Sequence, residues 1–243
     1  MRRWVERIAV MVLAVASLVV APSAWAGHPL STDDAGTVTP AHLELEMTFD
    51  AFQADDDEEG YGLALTYGVT ERLDIAVAAG YTALHSEPKL KGMVDPEFGF
   101  KWRFLEGGER RPSLALVGGT TQPGDSDLSS GERDWGALLI ASIPGRTNVL
   151  HLNLGNTWVG EAGVNDIISW GVALEMPRED GTAWYAEIVG DNSGEGGGDD
   201  SLEALVGWSK EVRSGAVYSV GVAFGLSDAS PDCRLSAGLT RDF

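Results

Sequence analysis

The sequence lacks most of the features that anchor or stabilise an exported protein. Its one cysteine, Cys233, leaves no partner for an intramolecular disulfide, so stability outside a reducing compartment must come from elsewhere. A long apolar run occurs only once, over residues 8–20. Beyond it no stretch approaches the ~20 apolar residues that a spanning helix needs. Positive charge is scarce: 17 Lys and Arg stand against 37 Asp and Glu, a net −20, which excludes nucleic acid as a partner of the whole molecule. Histidines number four, and no His/Cys/Asp spacing suggests a metal site; no cofactor is expected.

What is present begins with a leader. Arg2, Arg3 and Arg7 precede the apolar run, and Ala24-Trp25-Ala26 supplies a small-x-small cleavage pattern. Residues 1–26 are therefore expected to be a cleaved signal peptide. Residues 27–41 show no alternation and are expected at the periplasmic mouth or tucked inside as a plug. Residues 42–243 repeat one unit: about ten residues of alternating apolar and polar character, then a break rich in Gly, Pro, Asp, Ser or Asn. Over 42–53, Leu43, Leu45, Met47, Phe49 and Ala51 alternate with Glu44, Glu46, Thr48 and Asp50. A strand has period two, so this segment has one greasy face and one acidic face. Strands are expected over 42–53, 60–69, 73–84, 93–104, 113–122, 135–143, 148–158, 167–176, 183–190, 202–210, 216–226 and 234–243. The fold class is all-β: a transmembrane antiparallel up-and-down β-barrel of about 12 strands, which pairs every strand edge without disulfides.

The connections separate this from a soluble sandwich. Long acidic ones, with Asp55, Asp56, Asp57, Glu58 and Glu59 in the first and Asp199 and Asp200 in a later one, take turns with compact ones carrying Arg72, Arg110, Arg111, Arg146 and Arg178. Long loops at one end and short turns at the other fit an outer-membrane barrel. Trp135, Trp158 and Trp170 fall toward the long-loop ends of strands, and Trp102, Trp184 and Trp208 at the compact-turn ends. Aliphatic positions such as Leu65, Val77, Leu152, Val172 and Val206 lie between, the pattern of two aromatic belts around a lipid-facing band. The last strand ends in Phe243, which resembles the address read by the barrel assembly machinery. Arg241 departs from the usual aromatic there, but its stem can stay in lipid while the guanidinium snorkels to headgroups.

Three stretches resemble the meta-pathway of phenol degradation family. They are His28-Pro29-Leu30-Ser31-Thr32-Asp33-Asp34-Ala35-Gly36-Thr37, the strand Asp95-Pro96-Glu97-Phe98-Gly99-Phe100-Lys101-Trp102-Arg103-Phe104, and the segment ending Gln122-Pro123-Gly124-Asp125. The resemblance extends over 27–243. It implies a transporter-like barrel in the outer membrane of a Gram-negative bacterium, linked to uptake of aromatic or other small organic compounds.

Alternation places Glu44, Glu46, Asp50, Asp74, Glu97, Lys101, Arg103, His151, Asn153 and Glu187 toward the lumen. One reading is a pore lining in which Lys101 and Arg103 face an acidic wall and select solutes by charge and size. The other is a neutralised polar filling. Two functions follow: a porin-like channel for passive uptake of small organic solutes, or a non-conducting structural barrel. Partners are the lipid bilayer, lipopolysaccharide, the assembly machinery and the solute. The acidic loops are candidates for cations shared with lipopolysaccharide phosphates. A hydrolase is not expected, because His151-Leu152-Asn153 lacks the serine two residues from the histidine that the outer-membrane phospholipase pattern requires.

Overall fold

The computed structural model describes residues 27–53, 57–85, 89–192, 200–213 and 215–243. The expected signal peptide and the acidic residues Asp55, Asp56 and Asp199 lie outside the described residues. The first half of the chain forms β1 (Leu43–Gln53), β2 (Glu58–Thr70), β3 (Leu73–Leu84), β4 (Lys91–Met93), β5 (Glu97–Leu105) and β6 (Ser113–Thr121). The second forms β7 (Trp135–Pro144), β8 (Val149–Trp158), β9 (Ile167–Pro177), β10 (Thr182–Asp191), β11 (Ser201–Glu211), β12 (Ala216–Gly225) and β13 (Cys233–Asp242). No helix among the described residues is long and apolar enough to cross a membrane.

Strands pair antiparallel with their neighbours in sequence except that β4 and β5 both pair with β3, and β1 pairs with both β2 and β13, so the sheet closes. The seam is sealed at its end by Leu43 and Phe243, which exchange backbone hydrogen bonds of 3.1 and 2.8 Å. The three-residue β4 and β5 are one strand interrupted at residues 94–96. Ala78 opposes Glu97 while Tyr81 opposes Met93, so three residues face two. Pro96 has no N–H for the ladder, and such a bulge is where a proline fits a barrel wall. The result is a closed barrel of twelve strands, as the alternation predicts. Strand ends differ from expectation by a few residues, and 93–104 is extended and broken by the bulge.

The outer surface is apolar. Leu63, Leu65, Val77, Leu139, Leu154, Val172, Val206 and Val220 point outward and are exposed. The belts form by register: Trp135 opposes Trp158 at the long-loop end, and Trp184 opposes Trp208 at the other. Phe49, Tyr61 and Tyr81 meet in tilted contacts across three strands, with ring centroids 5.2 and 6.4 Å apart. Exposed apolar side chains on one continuous outer face are costly in water and stabilising in lipid.

The interior departs from a purely polar lumen. On β6 and β7 the inward residues Ala115, Val117, Leu138 and Ile140 are apolar and buried, and they pack with Ala76 and with Ala35 of the N-terminal segment. Leu30 enters a second apolar cluster with Ala173, Leu205 and Ala223.

Candidate functional site: a lumen crossed by the N-terminal segment

Residues 27–41 run inside the compact-turn half of the barrel. They belong to no strand, so each of their buried N–H groups needs an acceptor from the wall. Inward side chains supply these. Glu187 on β10 accepts from the Ser31 and Thr32 amides at 3.1 and 2.5 Å. Asn153 on β8 accepts from the Asp33 N–H at 2.8 Å and donates back to the Asp33 carbonyl at 2.9 Å. Ser142 on β7 accepts from the Ala35 N–H at 2.8 Å, Asp74 on β3 from Val38 at 3.1 Å, and Glu46 on β1 from His28 at 3.4 Å.

Charge fixes the centre. Lys101 on β5 donates to Asp33 Oδ1 at 2.8 Å and to the Asp34 carbonyl at 3.2 Å. Both partners are dry, with Lys101 6% and Asp33 1% exposed. On the other side Arg234 of β13 donates to Ser31 Oγ at 3.1 Å and lies 3.3 Å from Glu203 and 3.7 Å from Asp50.

Shape completes the seat. Gly171, Gly207, Gly221 and Gly238 all face inward, on β9, β11, β12 and β13, and Gly207 and Gly221 are directly opposed. A Cβ on Gly207 would stand 2.5 Å from Pro29 Cγ, and one on Gly221 would stand 2.9 Å from Pro29 Cβ. A Cβ on Gly171 would collide with the Thr32 hydroxyl, and one on Gly238 with the His28 ring. These four wall positions have no side chain where residues 28–32 lie against the backbone.

Two cavities flank the segment. The one toward the long loops is about 260 Å³ and the one toward the compact turns about 350 Å³. His28, Leu30, Thr32 and Glu46 border both, so the segment is the partition between them.

Of the ten residues assigned to the lumen from sequence, Glu46, Asp74, Lys101, Asn153 and Glu187 bind the segment directly. Lys101 lines the compact-turn cavity with Glu44 and Glu46 of β1, and it donates to Asp33 and to the Asp34 carbonyl. Arg103 donates to the Glu71 carbonyl at 2.5 Å, tying β5 to the β2–β3 turn. Glu44 lines the compact-turn cavity, while Asp50 and Glu97 line the other. The acidic run is split by the period of β2. Glu58 faces the lumen, Glu59 accepts from the Tyr61 hydroxyl at 3.1 Å outside, and Asp57 and Asp200 are exposed. Among the described residues no group of three or more His, Cys, Asp or Glu is placed to hold a metal.

His151 has a partner the sequence did not disclose. Ser142 opposes it across β7 and β8, with Oγ 2.9 Å from Nδ1, and Nε2 lies 3.2 Å from Glu175 Oε2. The residue types are those of a Ser-His-acid triad, joined by register rather than by spacing in sequence. Ser142 Oγ also accepts the Ala35 N–H, so a continuous chain of hydrogen bonds runs from the segment through Ser142 and His151 to Glu175. The chain of bonds holds the segment to the wall. Outside the lumen, the Asp180 carboxyl in the β9–β10 turn is held below the usual range by the Thr182 hydroxyl and amide, which donate to it at 2.6 and 3.0 Å.

The fold and lumen define a class: closed twelve-stranded antiparallel barrels with an apolar girdle and a polar, partly filled interior. No family model and no curated protein sequence matches the chain. Solved structures do. An outer membrane channel from Pseudomonas putida F1 is similar with a TM-score of 0.73 and 12% identity, over 86% of this chain and 98% of that one. The KdgM porin, solved in complex with disordered oligogalacturonate, has a TM-score of 0.59 and 8% identity over 82% and 99%. The NanC porin has a TM-score of 0.54 and 6% identity over 82% and 97%. At such identities the likeness is one of fold: this chain has the architecture of outer-membrane channels and porins.

Proposed function

We propose that the protein is a channel in the outer membrane of a Gram-negative bacterium, admitting small organic solutes by passive diffusion, with residues 27–41 as its constriction. The observation that carries this reading is the partition itself. Two solvent-sized cavities lie in one lumen, divided by a segment that is hydrogen-bonded to the wall but belongs to no strand. A segment held by side chains can be displaced without breaking the barrel ladder, so the path opens at a cost set by those bonds. The resemblance to the meta-pathway of phenol degradation family supports aromatic compounds among the solutes. The lipid bilayer surrounds the apolar girdle, and the assembly machinery reads Phe243. Lipopolysaccharide meets the long-loop end, where Glu59 and Asp200 remain candidates for shared cations. Nothing in this reading requires catalysis.

A specific observation favours the alternative, a non-conducting structural barrel. At the level of Asp33 and Ala35 the segment packs against buried Ala76, Ala115, Val117, Leu138 and Ile140. Single-channel recording in planar bilayers separates the two. The channel reading expects discrete steps in the mature protein, larger in a variant lacking residues 27–36. A barrel that inserts with normal heat-modifiable gel mobility, yet stays silent with and without those residues, would sink it.

A further inference from the structure

The compact-turn cavity is rich in carboxyl groups. Asp34, Glu44, Glu46, Asp74, Glu175 and Asp242 line it, and Lys101 is the single Lys or Arg among the described residues that does. Lys101 is already engaged, with Asp33 at 2.8 Å and the Asp34 carbonyl at 3.2 Å. Asp74 is only 2% exposed, and its Oδ1 accepts no hydrogen bond among the described residues. Carboxyl groups gathered in a confined space either keep their protons or find a cation. Gly27 borders the same cavity. The Gly36 N–H donates to Asp34 Oδ1, and Oδ2 is turned toward Gly27, where a Cβ would stand 3.9 Å from it. On the next residue the His28 N–H donates to Glu46 Oε2 at 3.4 Å. The main chain at Gly27 thus passes close to both Asp34 and Glu46.

We propose that cleavage of the leader after Ala26 completes this site: the freed α-ammonium of Gly27 is the cation that the cavity holds, on Asp34 and Glu46. Water adds across the Ala26–Gly27 peptide bond, leaving a carboxylate on the leader and an ammonium on Gly27. Before cleavage the same nitrogen carries one amide proton and no charge. Afterwards it carries three donors and a positive charge, and each bond it makes to a carboxylate is charge-assisted. Lys101 then pins the middle of the segment and the ammonium pins its start. A metal ion is the poorer occupant, because no group of three or more acidic, His or Cys side chains among the described residues is placed to share one. The inference goes beyond the channel reading and holds whether or not the barrel conducts.

The test begins with the intact mass of the protein secreted with its own leader, which should correspond to a chain starting at Gly27. That protein is compared with a refolded barrel carrying Ser-Ala ahead of Gly27, and Asp34→Asn is made in each. Two added residues move the ammonium by up to about 7 Å. Asparagine keeps an acceptor for the Gly36 N–H and removes the charge. Protease cleavage between residues 27 and 41, in barrels of normal heat-modifiable mobility, should rise about twofold to fivefold with the extension, as loss of an ion pair open to water implies. Asp34→Asn should raise it too, and the two together should do no more than the extension alone. Competitive labelling with trace acetic anhydride across pH reads the amino group itself. Gly27 should titrate about half a unit or more above the ~7.7–8.0 of an ordinary α-amine, and fall toward that range in Asp34→Asn. A different first residue, additive effects of the extension and Asp34→Asn, or an ordinary titration in the unaltered barrel would each overturn the proposal.

Discussion

Lys101 Nζ and Asp33 Oδ1 lie 2.8 Å apart in a dry part of the lumen, joining the barrel wall to a segment that belongs to no strand. Attraction in so enclosed a place must offset the desolvation of both groups, and removing one partner strands the other. Lys101→Met should therefore loosen the segment by ~3–5 kcal/mol. The readout is protease cleavage between residues 27 and 41 in an otherwise intact barrel. Lys101→Met combined with Asp33→Asn should restore much of the protection, because Asp33 then no longer carries a buried charge without its cation. Equal cleavage in the single and double variants would show that the pair does not hold the segment.

The glycine seat makes a geometric prediction. Proline ring atoms cannot rotate away from an added side chain, so Gly207→Val and Gly221→Val must push residues 28–32 off the wall. Conductance should rise in both variants, with unchanged heat-modifiable mobility. Gly136→Ala, facing open space, should behave as the unaltered protein. Wild-type conductance in all three would mean that the segment is held without the seat.

The Ser142-His151-Glu175 chain is expected to anchor rather than to catalyse. Ser142→Ala leaves the buried Ala35 N–H without its acceptor, at about 1–3 kcal/mol, and should speed amide exchange at Ala35. Hydrolysis of a short-chain nitrophenyl ester should be the same for the two proteins. Turnover that vanishes with Ser142 would reassign the chain as a nucleophile and its base.

The Asp180 turn gives a pH dependence. The Thr182 donors hold this carboxyl below its ordinary value, so it stays ionised in the folded turn at pH values where the unfolded chain is taking up a proton. Its support of the turn is full above the ordinary carboxylate range and is lost as pH falls through the depressed folded value. Exchange at the Thr182 amide should accelerate over that acidic window, and Asp180→Ala should remove the pH dependence. A flat profile in the unaltered protein would contradict the assignment.

On the outer face, Val206 is exposed at mid-strand in the apolar band. Val206→Arg should cost ~2–4 kcal/mol of bilayer folding stability if that face meets lipid near the midplane. A change within experimental error would place the girdle outside the hydrocarbon.

Much of this architecture is legible in the chain. Period-two alternation over 42–53 assigns Leu45 outward and Glu46 inward because successive Cβ atoms of a strand point to opposite faces. Aromatic residues at strand ends anticipate the pairs Trp135–Trp158 and Trp184–Trp208, since each belongs to its own strand and needs only the right register to meet. The lumen was less legible. Alternation identifies Lys101, Asn153 and Glu187 as inward but carries no information on what they face. The inward apolar residues Val117 and Ile140 break the polar-in rule, and their partner Ala35 lies far off in sequence.

The sequence by itself determined the closed all-β barrel, its two faces and its two unlike ends, because each follows from local periodicity and turn chemistry repeated along the chain. Only the tertiary structure decided what fills the lumen. Closing the sheet brings Asp33 to Lys101, Pro29 to Gly207 and Gly221, and Ser142 to His151. Those relationships depend on register across strands and on the path of a segment without periodicity, and neither is written in the spacing of residues along one strand.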